Sequence, residues 1–369
     1  MATSDLRILH TGMTDNRGGI ETFVMSNNRE LLKEGIKFDF VCMYDTMAYE
    51  EEVTEYGEKV YHVARELKQP IRYYKDLLGI VGNYDVVHIN TQTCANILPL
   101  IACKVKRVKK VVLHSHNSST DTTLKRIMHK FNKHFAYKMA DEYIACSRAA
   151  AEWLYPRKLV ESGQVKVIHN AIDYDKMKFD GNMRSNIRKE LKVQDDEVLV
   201  GNIGRQTQPK NIIFLVKAFE KALDQGFKGK LLIIGNGPEH EAIMDYVTTE
   251  SLSDKVVFFD NRPDAYMFYS AIDIFGMPSV YEGLSFCAVE AQASGCKCLF
   301  STNMSRETAI LPTTQFLSID KEEHWVNELM RFASYGMDRT EEDNREYLEN
   351  AGYVLSSEAL RLKEIYYEV

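Results

Sequence analysis

The sequence predicts an α/β protein made of two doubly wound units in tandem, with their parallel sheets facing each other across a cleft. Short apolar segments alternate with helical ones through the first half of this 369-residue chain. That alternation is typical of a parallel sheet covered by helices on both faces. It restarts after a polar, charged stretch at 173–197, and the length suits two domains. We place the domains at 1–172 and 173–352, with 353–369 forming a helix that returns to the first domain.

The predicted strands are apolar, β-rich runs bounded by polar residues or glycine. In the first half they are the segments 6–9, 38–44, 60–63, 84–90, 109–116, 142–147 and 164–172. In the second half they are 197–204, 230–237, 255–260, 271–279 and 296–301. Helices are predicted at 20–33, after Pro70, at 211–225, from Phe286 and in the acidic tail 341–369. Ligands of open parallel sheets bind beyond the carboxyl ends of the strands, so functional residues are expected in the loops that follow them.

Composition narrows the possible function classes. The formal net charge is −7, which argues against a general nucleic-acid binder. No run of about 18 apolar residues occurs, and the first residues lack the basic start and apolar core of a secretory signal. The seven cysteines are odd in number and are not spaced as a disulfide framework. We therefore expect a cytoplasmic protein, with Cys296 and Cys298 buried as small side chains rather than binding zinc.

The densest functional signals lie in the segment 278–295. Glu282 lies in the loop that ends a strand, and Glu290 falls about one turn into the next helix. A carboxylate placed like Glu290 can accept two hydrogen bonds from neighbouring hydroxyls, as on a ribose. Between the glutamates, the backbone amides of Gly283, Leu284 and Ser285 begin a helix and can hold a phosphate. Since glutamate is common on helices, the alternative is that both carboxylates are simply solvated.

Two cations follow the first predicted strand of the second half. Arg205 comes directly after the strand, and Lys210 lies five residues further on. This pair suits a diphosphate and the charge that grows on it as a sugar leaves, whereas the alternative is a solvated loop. Gly237, after the next strand, permits close approach of a ligand, although an ordinary turn would also explain it. Arg262 lies in the segment 260–263, whose backbone edge could read a nucleobase.

In the first half, Gly18 and Gly19 separate the first strand from a helix. They resemble a phosphate loop but lack the G-x-G-x-x-G fingerprint, which disfavours a nicotinamide dehydrogenase. His114 and His116 close another strand and point to the same side of it. One of these imidazoles is expected to bond a sugar hydroxyl or a phosphate. A metal site would need a third ligand, and none is evident nearby.

The motifs described above, in this order along the chain, resemble those of the retaining family-four glycosyltransferases. Those enzymes have the GT-B fold of two Rossmann-like domains. More closely, they are similar to the bacterial enzymes that assemble capsular polysaccharide or exopolysaccharide. The resemblance spans nearly the whole chain. It is carried by GGIE (18–21), HSHN (114–117), IHNAID (168–173), GRQTQPK (204–210), GNGP (235–238) and PSVYEGLSFCAVEAQASG (278–295).

The resemblance implies a role for each charged residue. Glu282 would hold ring hydroxyls of the donor sugar, and Glu290 would hold the ribose. Arg205 and Lys210 would bind the diphosphate, helped by the glycine amides named above, and His116 would approach the sugar from the first domain. Transfer would retain the anomeric configuration and need no metal, because the two cations replace it. We expect no cofactor besides the donor substrate, a UDP-hexose or UDP-N-acetylhexosamine.

Three departures from the family pattern are present. Asn211 replaces the usual glycine after the lysine, and Ala171 replaces the glycine before the interdomain aspartate. Leu284 and Ser285 replace a phenylalanine and a glycine. The serine hydroxyl would lie near the phosphate and alter donor preference. None of these changes removes a charged group from the site.

A basic surface in the first half of the chain suggests where the acceptor binds. Residues 101–140 carry ten cations opposed by one acidic residue, Asp121. The cations are Lys104, Lys106, Arg107, Lys109, Lys110, Lys125, Arg126, Lys130, Lys133 and Lys138. Such a surface could dock on the anionic inner face of the cell membrane and reach a lipid-linked acceptor. A solvated helix face and a free saccharide acceptor are the alternatives.

Two competing functions would fit the same residues. A sugar-nucleotide 2-epimerase of the same fold would bind the same donor type without an acceptor. A non-catalytic nucleotide-sugar-binding subunit would pair with an active enzyme, although the intact set of Arg205, Lys210, Glu282 and Glu290 argues against it.

Overall fold

The computed structural model describes residues 6–117, 123–282, 285–334 and 343–368. The chain divides into two compact units. The first consists of Met1–Ala171 together with Leu355–Val369, and the second is Ile172–Val354. The last part of the chain therefore belongs to the first unit.

The first unit alternates strands and helices. Its strands are β1 (Ile8–Met13), β2 (Phe38–Cys42), β3 (Val60–His62), β4 (Val86–Thr91), β5 (Lys110–Ser115), β6 (Glu142–Ala145) and β7 (Val165–Val167). Its helices are α1 (Gly19–Leu32), α2 (Glu50–Glu55), α3 (Pro70–Ile80), α4 (Leu98–Lys106), α5 (Thr123–Ala136), α6 (Arg148–Leu154) and α7 (Arg157–Glu161), followed much later by the C-terminal helix (Leu355–Tyr367). Short 3₁₀ turns cover Val81–Asn83 and Tyr137–Met139.

The strands of the first unit form one parallel sheet in the order β3-β2-β1-β4-β5-β6-β7. The order reverses between β1 and β4, the position at which open α/β sheets bind ligands. Alternate residues of β1 enter different cores: Leu9 packs with α3 and α4 residues, whereas Ile8 packs with α1 and the C-terminal helix. Burial on both faces explains why these strands are almost continuously apolar.

The second unit repeats the pattern. Its strands are β8 (Val198–Ile203), β9 (Gly229–Ile234), β10 (Val256–Phe259), β11 (Ile274–Met277), β12 (Lys297–Ser301) and β13 (Gln315–Leu317). Its helices are α8 (Tyr174–Met177), α9 (Gly181–Glu190), α10 (Ile212–Asp224), α11 (His240–Thr249), α12 (Phe268–Ala271), α13 (Phe286–Ala293), α14 (Glu322–Ser334) and α15 (Arg345–Asn350). Short 3₁₀ turns cover Gln208–Lys210, Ala265–Met267 and Arg306–Thr308.

The second sheet is also parallel, in the order β10-β9-β8-β11-β12-β13, and its reversal lies between β8 and β11. A buried carboxylate ties α9 to it. Asp273 receives Arg184 at 2.7 Å and Arg188 at 2.9 Å, and it also accepts the Leu199 amide at 2.7 Å. Because each oxygen of this carboxylate is paired, its charge is tolerated inside the unit.

The predicted fold class, two doubly wound parallel α/β units, is confirmed. Some details differ from the sequence prediction. β1 begins at Ile8 and continues to Met13 rather than covering 6–9, so that His10 and Thr11 are strand residues. The polar, charged stretch 173–197, for which no helix or strand was predicted, contains α8 and α9. The short β13 and helix α14 were not predicted at all.

Candidate active site

Two loops at the carboxyl ends of β8 and β9 lie against each other in the second unit. Gly235 has φ +135°, and a Cβ added to it would lie 2.1 Å from the carbonyl oxygen of Gly204. A Cβ on Gly237 would lie 2.1 Å from the carbonyl oxygen of Gln206. Since no side chain fits at these contacts, the glycines are required for the approach of the two loops. This places Gly237 in the loop packing beside Arg205.

The residue that joins these loops, Gln206, has no sequence signal that marks it. Gln206 is fully buried, and its Nε2 donates to the Gly235 carbonyl at 2.6 Å. Its Oε1 accepts from Nδ1 of His240 at 2.9 Å. The neighbouring Arg205 is exposed, and its guanidinium has no ion pair within the described parts of the chain. Gln206 therefore fixes the backbone from which a free cation extends.

Lys210 and Glu282 are brought together as an ion pair, although 72 positions separate them. Lys210 ends the 3₁₀ turn after β8, and the Val280 amide donates to the Pro209 carbonyl at 2.8 Å. Glu282 forms an isolated parallel bridge with Met304. Both side chains keep about a fifth of their surface exposed, 24% for Lys210 and 20% for Glu282. The pair is thus held by backbone contacts on each side and remains accessible.

The departure at Asn211 has a structural explanation. Asn211 has φ +52°, in the left-handed region, where glycine is easiest and asparagine is the next most tolerant residue. Its Nδ2 donates to the Pro278 carbonyl at 3.2 Å. The replacement of glycine therefore keeps the chain path that presents Lys210.

Helix α13 carries the second glutamate. Ser285 is its N-cap residue and is buried, whereas Gly283 and Leu284 lie outside the described residues. Glu290 accepts a hydrogen bond from the Tyr269 hydroxyl at 2.7 Å, and burial raises the pKa of its carboxyl group. Burial and the neighbouring Glu290 raise the pKa of the Cys287 thiol to about 12.

The Cys287 thiol lies within electrostatic range of several predicted residues. The charges of Lys210 and Glu282 act on the pKa of its thiol as well. Lys210, Glu282 and Glu290 therefore belong to one electrostatic environment around a thiol that no motif singles out, and within it Lys210 and Glu282 are in direct contact. A cation beside two carboxylates provides a donor and acceptors for a polyhydroxylated, anionic ligand.

Arg262 lies in a different environment. Its guanidinium pairs with Asp264 at 2.6 Å and stacks over the rings of Phe259 and Phe268, at 4.9 and 4.5 Å from their centroids. These contacts hold the guanidinium plane in place at the end of β10. Any ligand there would meet an ordered planar cation.

In the first unit, the glycine loop is organised by a carboxylate. The Glu21 side chain is buried and accepts the Thr14 and Gly18 amides at 3.0 Å each. The amide of Gly18 is therefore engaged within the loop. The neighbouring Gly19 faces open space, since a Cβ there would meet nothing within 4 Å. Glu21 was part of the quoted GGIE motif, but its role was not foreseen.

Asn90 fixes the protonation pattern of His116. Its Nδ2 donates to the Thr11 carbonyl at 3.0 Å, so its Oδ1 is the atom that faces Nε2 of His116, at 2.8 Å. An amide oxygen only accepts, which means that Nε2 of His116 carries the proton. Burial lowers the pKa of His116 to about 3. The ring is therefore neutral at pH 7, and its Nδ1 is a bare acceptor.

A hydrogen-bond chain continues from Asn90 into the core. Nδ1 of His10 faces the Asn90 amide nitrogen at 3.2 Å, and Nε2 of His10 faces the Tyr366 hydroxyl at 3.2 Å. That hydroxyl lies 2.7 Å from Nδ1 of His88, whose Nε2 lies 3.1 Å from Nδ1 of His114. His10, His88 and His114 are fully buried. The Tyr366 side chain thus links the C-terminal helix to the strand ends that carry His116.

His114 and His116 do lie on the same side of β5, with ring centroids 3.9 Å apart. Only His116 is partly accessible, so it is the one of the two that a ligand can reach. Within the described residues, no group of three or more His, Cys, Asp or Glu side chains is placed to hold a metal ion.

Family models match both halves of the chain. The model described as Glycosyltransferase Family 4 matches residues 17–176, and the model described as Glycosyl transferases group 1 matches residues 183–347. The chain belongs to the family-four glycosyltransferases. The first match contains the glycine loop and His116 of this glycosyltransferase, and the second contains both cations and both glutamates.

Individual relatives cover this glycosyltransferase over most of its length. EpsF of Bacillus subtilis (strain 168) is 27% identical over 376 residues, which is 99% of this chain and 97% of EpsF. The capsular polysaccharide biosynthesis glycosyltransferase CapM of Staphylococcus aureus is 23% identical over 66% of this chain and 67% of its own. The crystal structure of Anabaena HepE in complex with UDP superposes with a TM-score of 0.79 at 16% identity, covering 99% of this chain and 100% of HepE. That likeness confirms the GT-B fold of this glycosyltransferase. None of its described helices is both long enough and apolar enough to cross a membrane.

Proposed function

We propose that this glycosyltransferase moves a hexose or N-acetylhexosamine from a UDP-sugar to a saccharide or lipid-linked acceptor during surface polysaccharide synthesis. The observation that carries the proposal is the accessible Lys210–Glu282 pair at the carboxyl ends of β8 and β11. It offers a cation to a diphosphate and a carboxylate to sugar hydroxyls. The names of CapM and of the UDP-bound HepE support the pathway and the nucleotide.

The proposed mechanism retains the anomeric configuration by a front-side route. Lys210 and the exposed Arg205 stabilise the charge that grows on the departing diphosphate. The leaving phosphate takes the proton of the incoming hydroxyl, and Glu282 holds the donor sugar in position. His116, neutral and with a bare Nδ1, accepts a hydrogen bond from a sugar hydroxyl. The two cations neutralise the diphosphate, so that no metal ion is needed.

A donor screen followed by product analysis tests the proposal. UDP-sugars should raise the melting temperature more than GDP-sugars, because binding to the native state stabilises it by mass action. With an accepted acceptor, proton NMR of the product should show the anomeric configuration of the donor. An inverted product, or stabilisation by GDP-sugars alone, would contradict the proposal. Incubation with donor alone separates the alternatives, because an epimerase forms a new sugar nucleotide and a non-catalytic subunit forms nothing.

Substitutions of the two glutamates are predicted to have different effects on turnover and on nucleotide affinity. Glu282→Ala should lower kcat by about 100-fold, because the donor sugar loses the group that holds it in the transition state. Glu290→Ala should weaken donor and free UDP alike by about 10–100-fold, because it loses charged hydrogen bonds to the ribose. Kinetics and UDP calorimetry measure both effects, with the exposed Glu323→Ala on α14 as control. If either variant lost kcat and UDP affinity equally, this division of roles would be wrong.

We also propose that the first unit contacts anionic membrane through α5. Leu124, Ile127 and Phe131 are spaced at i, i+3 and i+7, and they are 64%, 62% and 71% exposed. Lys125, Arg126 and Lys130 accompany them on the same helix. A helix with an exposed apolar stripe beside cations suits the interface of an anionic bilayer. Elsewhere in the basic region, Lys109 is engaged in an ion pair with Asp85 at 2.7 Å.

Vesicle flotation checks the membrane prediction. The protein should float with vesicles that contain anionic lipid and should sediment with neutral ones. Phe131→Glu should abolish flotation, because it places a charge in the apolar stripe. Met244→Glu is the matched control, since Met244 is an exposed methionine on α11 of the other unit. Equal flotation with both vesicle types would refute the prediction.

A further inference from the structure

The hydrogen-bond chain of the first unit contains four imidazole rings, joined by the amide of Asn90 and the hydroxyl of Tyr366. The rings are those of His10, His88, His114 and His116. Because burial lowers their pKa values, the rings are neutral at pH 7. A neutral imidazole has one donor nitrogen and one acceptor nitrogen. Fixing the proton on one ring therefore fixes it on the next.

The direction of the chain is set where it meets the backbone. Nδ2 of Asn90 has two hydrogens, and the Thr11 carbonyl accepts one of them at 3.0 Å. The other is donated to Nδ1 of His10 at 3.2 Å, so that this nitrogen is an acceptor. The proton of His10 is then on Nε2, which donates to the Tyr366 hydroxyl at 3.2 Å.

The hydroxyl gives the next two rings the same arrangement. Since the Tyr366 oxygen accepts from His10, its own proton is donated to Nδ1 of His88 at 2.7 Å. Nε2 of His88 then carries a proton and donates it to Nδ1 of His114 at 3.1 Å. At the other end of the chain, Nε2 of His116 donates to Asn90 at 2.8 Å. All four rings are thus protonated on Nε2.

The opposite direction would use the same pairs of atoms. Every ring proton would move to Nδ1, and the Asn90 amide would turn over to present its oxygen to His10. That oxygen would lie 3.0 Å from the Thr11 carbonyl oxygen, which repels it. His116 would then present an N–H at Nδ1 instead of a lone pair. The direction of the chain therefore decides whether His116 accepts or donates.

The direction present in the structure has a cost at its far end. Nε2 of His114 is a buried donor, and it has no hydrogen-bond partner among the described residues. A buried donor without an acceptor lowers stability. If the Tyr366 hydroxyl were removed, Nε2 of His10 would become a second such donor. Its proton would move to Nδ1, where it would face the Asn90 amide nitrogen and favour turning that amide over.

We propose that Tyr366 is a positioning residue for glycosyl transfer, and that its hydroxyl keeps a lone pair on Nδ1 of His116. It acts through His10 and Asn90, because its own side chain is only 2% exposed. The inference rests on the proposed function, in which Nδ1 of His116 accepts a hydrogen bond from a sugar hydroxyl. It adds a residue of the C-terminal helix to those that determine the chemistry of the site.

Imidazole NMR tests the direction without a substrate. Two-bond ¹H–¹⁵N spectra of the histidine-labelled chain distinguish the two neutral tautomers, and all four rings should show the Nε2–H form. In Tyr366→Phe, His116 should show the Nδ1–H form. Tyr367→Phe, which removes a partly exposed hydroxyl from the same helix, is the matched control and should change none of the rings. An Nδ1–H form of His116 in the unmodified chain would overturn the inference.

A second variant approaches the same ring from the other side of the hydroxyl. His88→Leu removes the acceptor of the Tyr366 proton, so the hydroxyl turns to donate to His10 and should give His116 the Nδ1–H form. The ring of His129, which is buried in the first unit outside this chain, shows that each variant is folded. A His116 tautomer that stays unchanged in both folded variants would overturn the inference.

Kinetics measure whether the tautomer matters for transfer. Tyr366→Phe should lower kcat/KM by about 3–10-fold, the effect of losing one neutral hydrogen bond. The same substitution should have almost no further effect in a His116→Ala background, because Tyr366 acts through that ring. Losses that multiply in the double variant would show a merely structural role and would overturn the inference.

Calorimetry with UDP separates this inference from the proposed function. Each variant should bind UDP as the unmodified chain does, because none changes a residue of the second unit. If UDP fails to bind the unmodified chain, the proposed function falls, whereas the NMR spectra still decide which nitrogen of His116 carries the proton and whether Tyr366 controls it.

Discussion

Lys210→Ala should reduce kcat by about 10²–10³-fold while donor affinity falls by less than tenfold. The reason is that charge accumulates on the diphosphate as the sugar leaves, so a cation placed there stabilises the transition state more than the bound donor. In the free protein Lys210 neutralises Glu282. Removing it also leaves that carboxylate facing the diphosphate, which adds repulsion. Arg205→Ala should act in the same direction.

Steady-state kinetics and donor calorimetry measure the two parts of this prediction. Lys210→Arg keeps the charge and should recover part of kcat. The matched control is Lys221→Ala on α10, which removes an exposed cation paired with Glu322 and should leave turnover unchanged. Turnover of Lys210→Ala or Arg205→Ala close to that of the unmodified chain would mean that the diphosphate does not bind at these cations.

The first unit should lose stability steeply as the pH falls from 7.5 to 5.5. His10, His88 and His114 are fully buried, and burial lowers their pKa values, that of His10 from 6.5 to about 3. Below pH 6.5 these three histidines bind protons in the unfolded chain but stay neutral in the folded chain. The stabilisation that comes from the neutral rings is therefore fully present above pH 6.5. It is lost as the pH falls toward the folded-state pKa values. Each histidine contributes up to about 1.4 kcal/mol per pH unit.

Three such groups together cost about 4 kcal/mol one unit below pH 6.5, a large share of the stability of an ordinary domain. Urea unfolding at pH 7.5 and 5.5 measures the loss. His88→Gln should reduce the difference between the two pH values. His62→Gln should not, because Glu50 raises the pKa of the exposed His62 and gives it the opposite sign. Equal stability at the two pH values would contradict the neutral, buried state of the three rings.

The sequence predicted what depends on local pattern. Apolar runs identified most strands, because both faces of each parallel sheet are buried. Lys210 and Glu282 could be selected because they lie in loops that follow strands and in motifs that resemble the family pattern. Their direct contact could not be predicted, since it depends on how the loops after β8 and β11 pack.

The sequence could not reveal the uncharged residues whose roles depend on partners far away in the chain. Gln206 and Asn90 are ordinary amides until their carbonyl acceptors are known. The burial of His10 and His88 depends on Tyr366, which lies beyond the entire second unit in the chain. The apolar stripe of α5 was overlooked because its cations dominate a reading by composition, although the spacing of Leu124, Ile127 and Phe131 would have revealed it.

The C-terminal helix has a consequence for how the protein is made. Tyr366 completes the core of the first unit, yet the ribosome must synthesise the whole second unit, Ile172–Val354, before this helix emerges. At ~5–20 residues per second this delay is roughly 10–40 s. During that time the surface of α1 that the helix covers is open to chaperones or to aggregation. The second unit is a continuous segment and has no such delay. It can therefore finish folding before the first unit, although it is synthesised after most of the first unit.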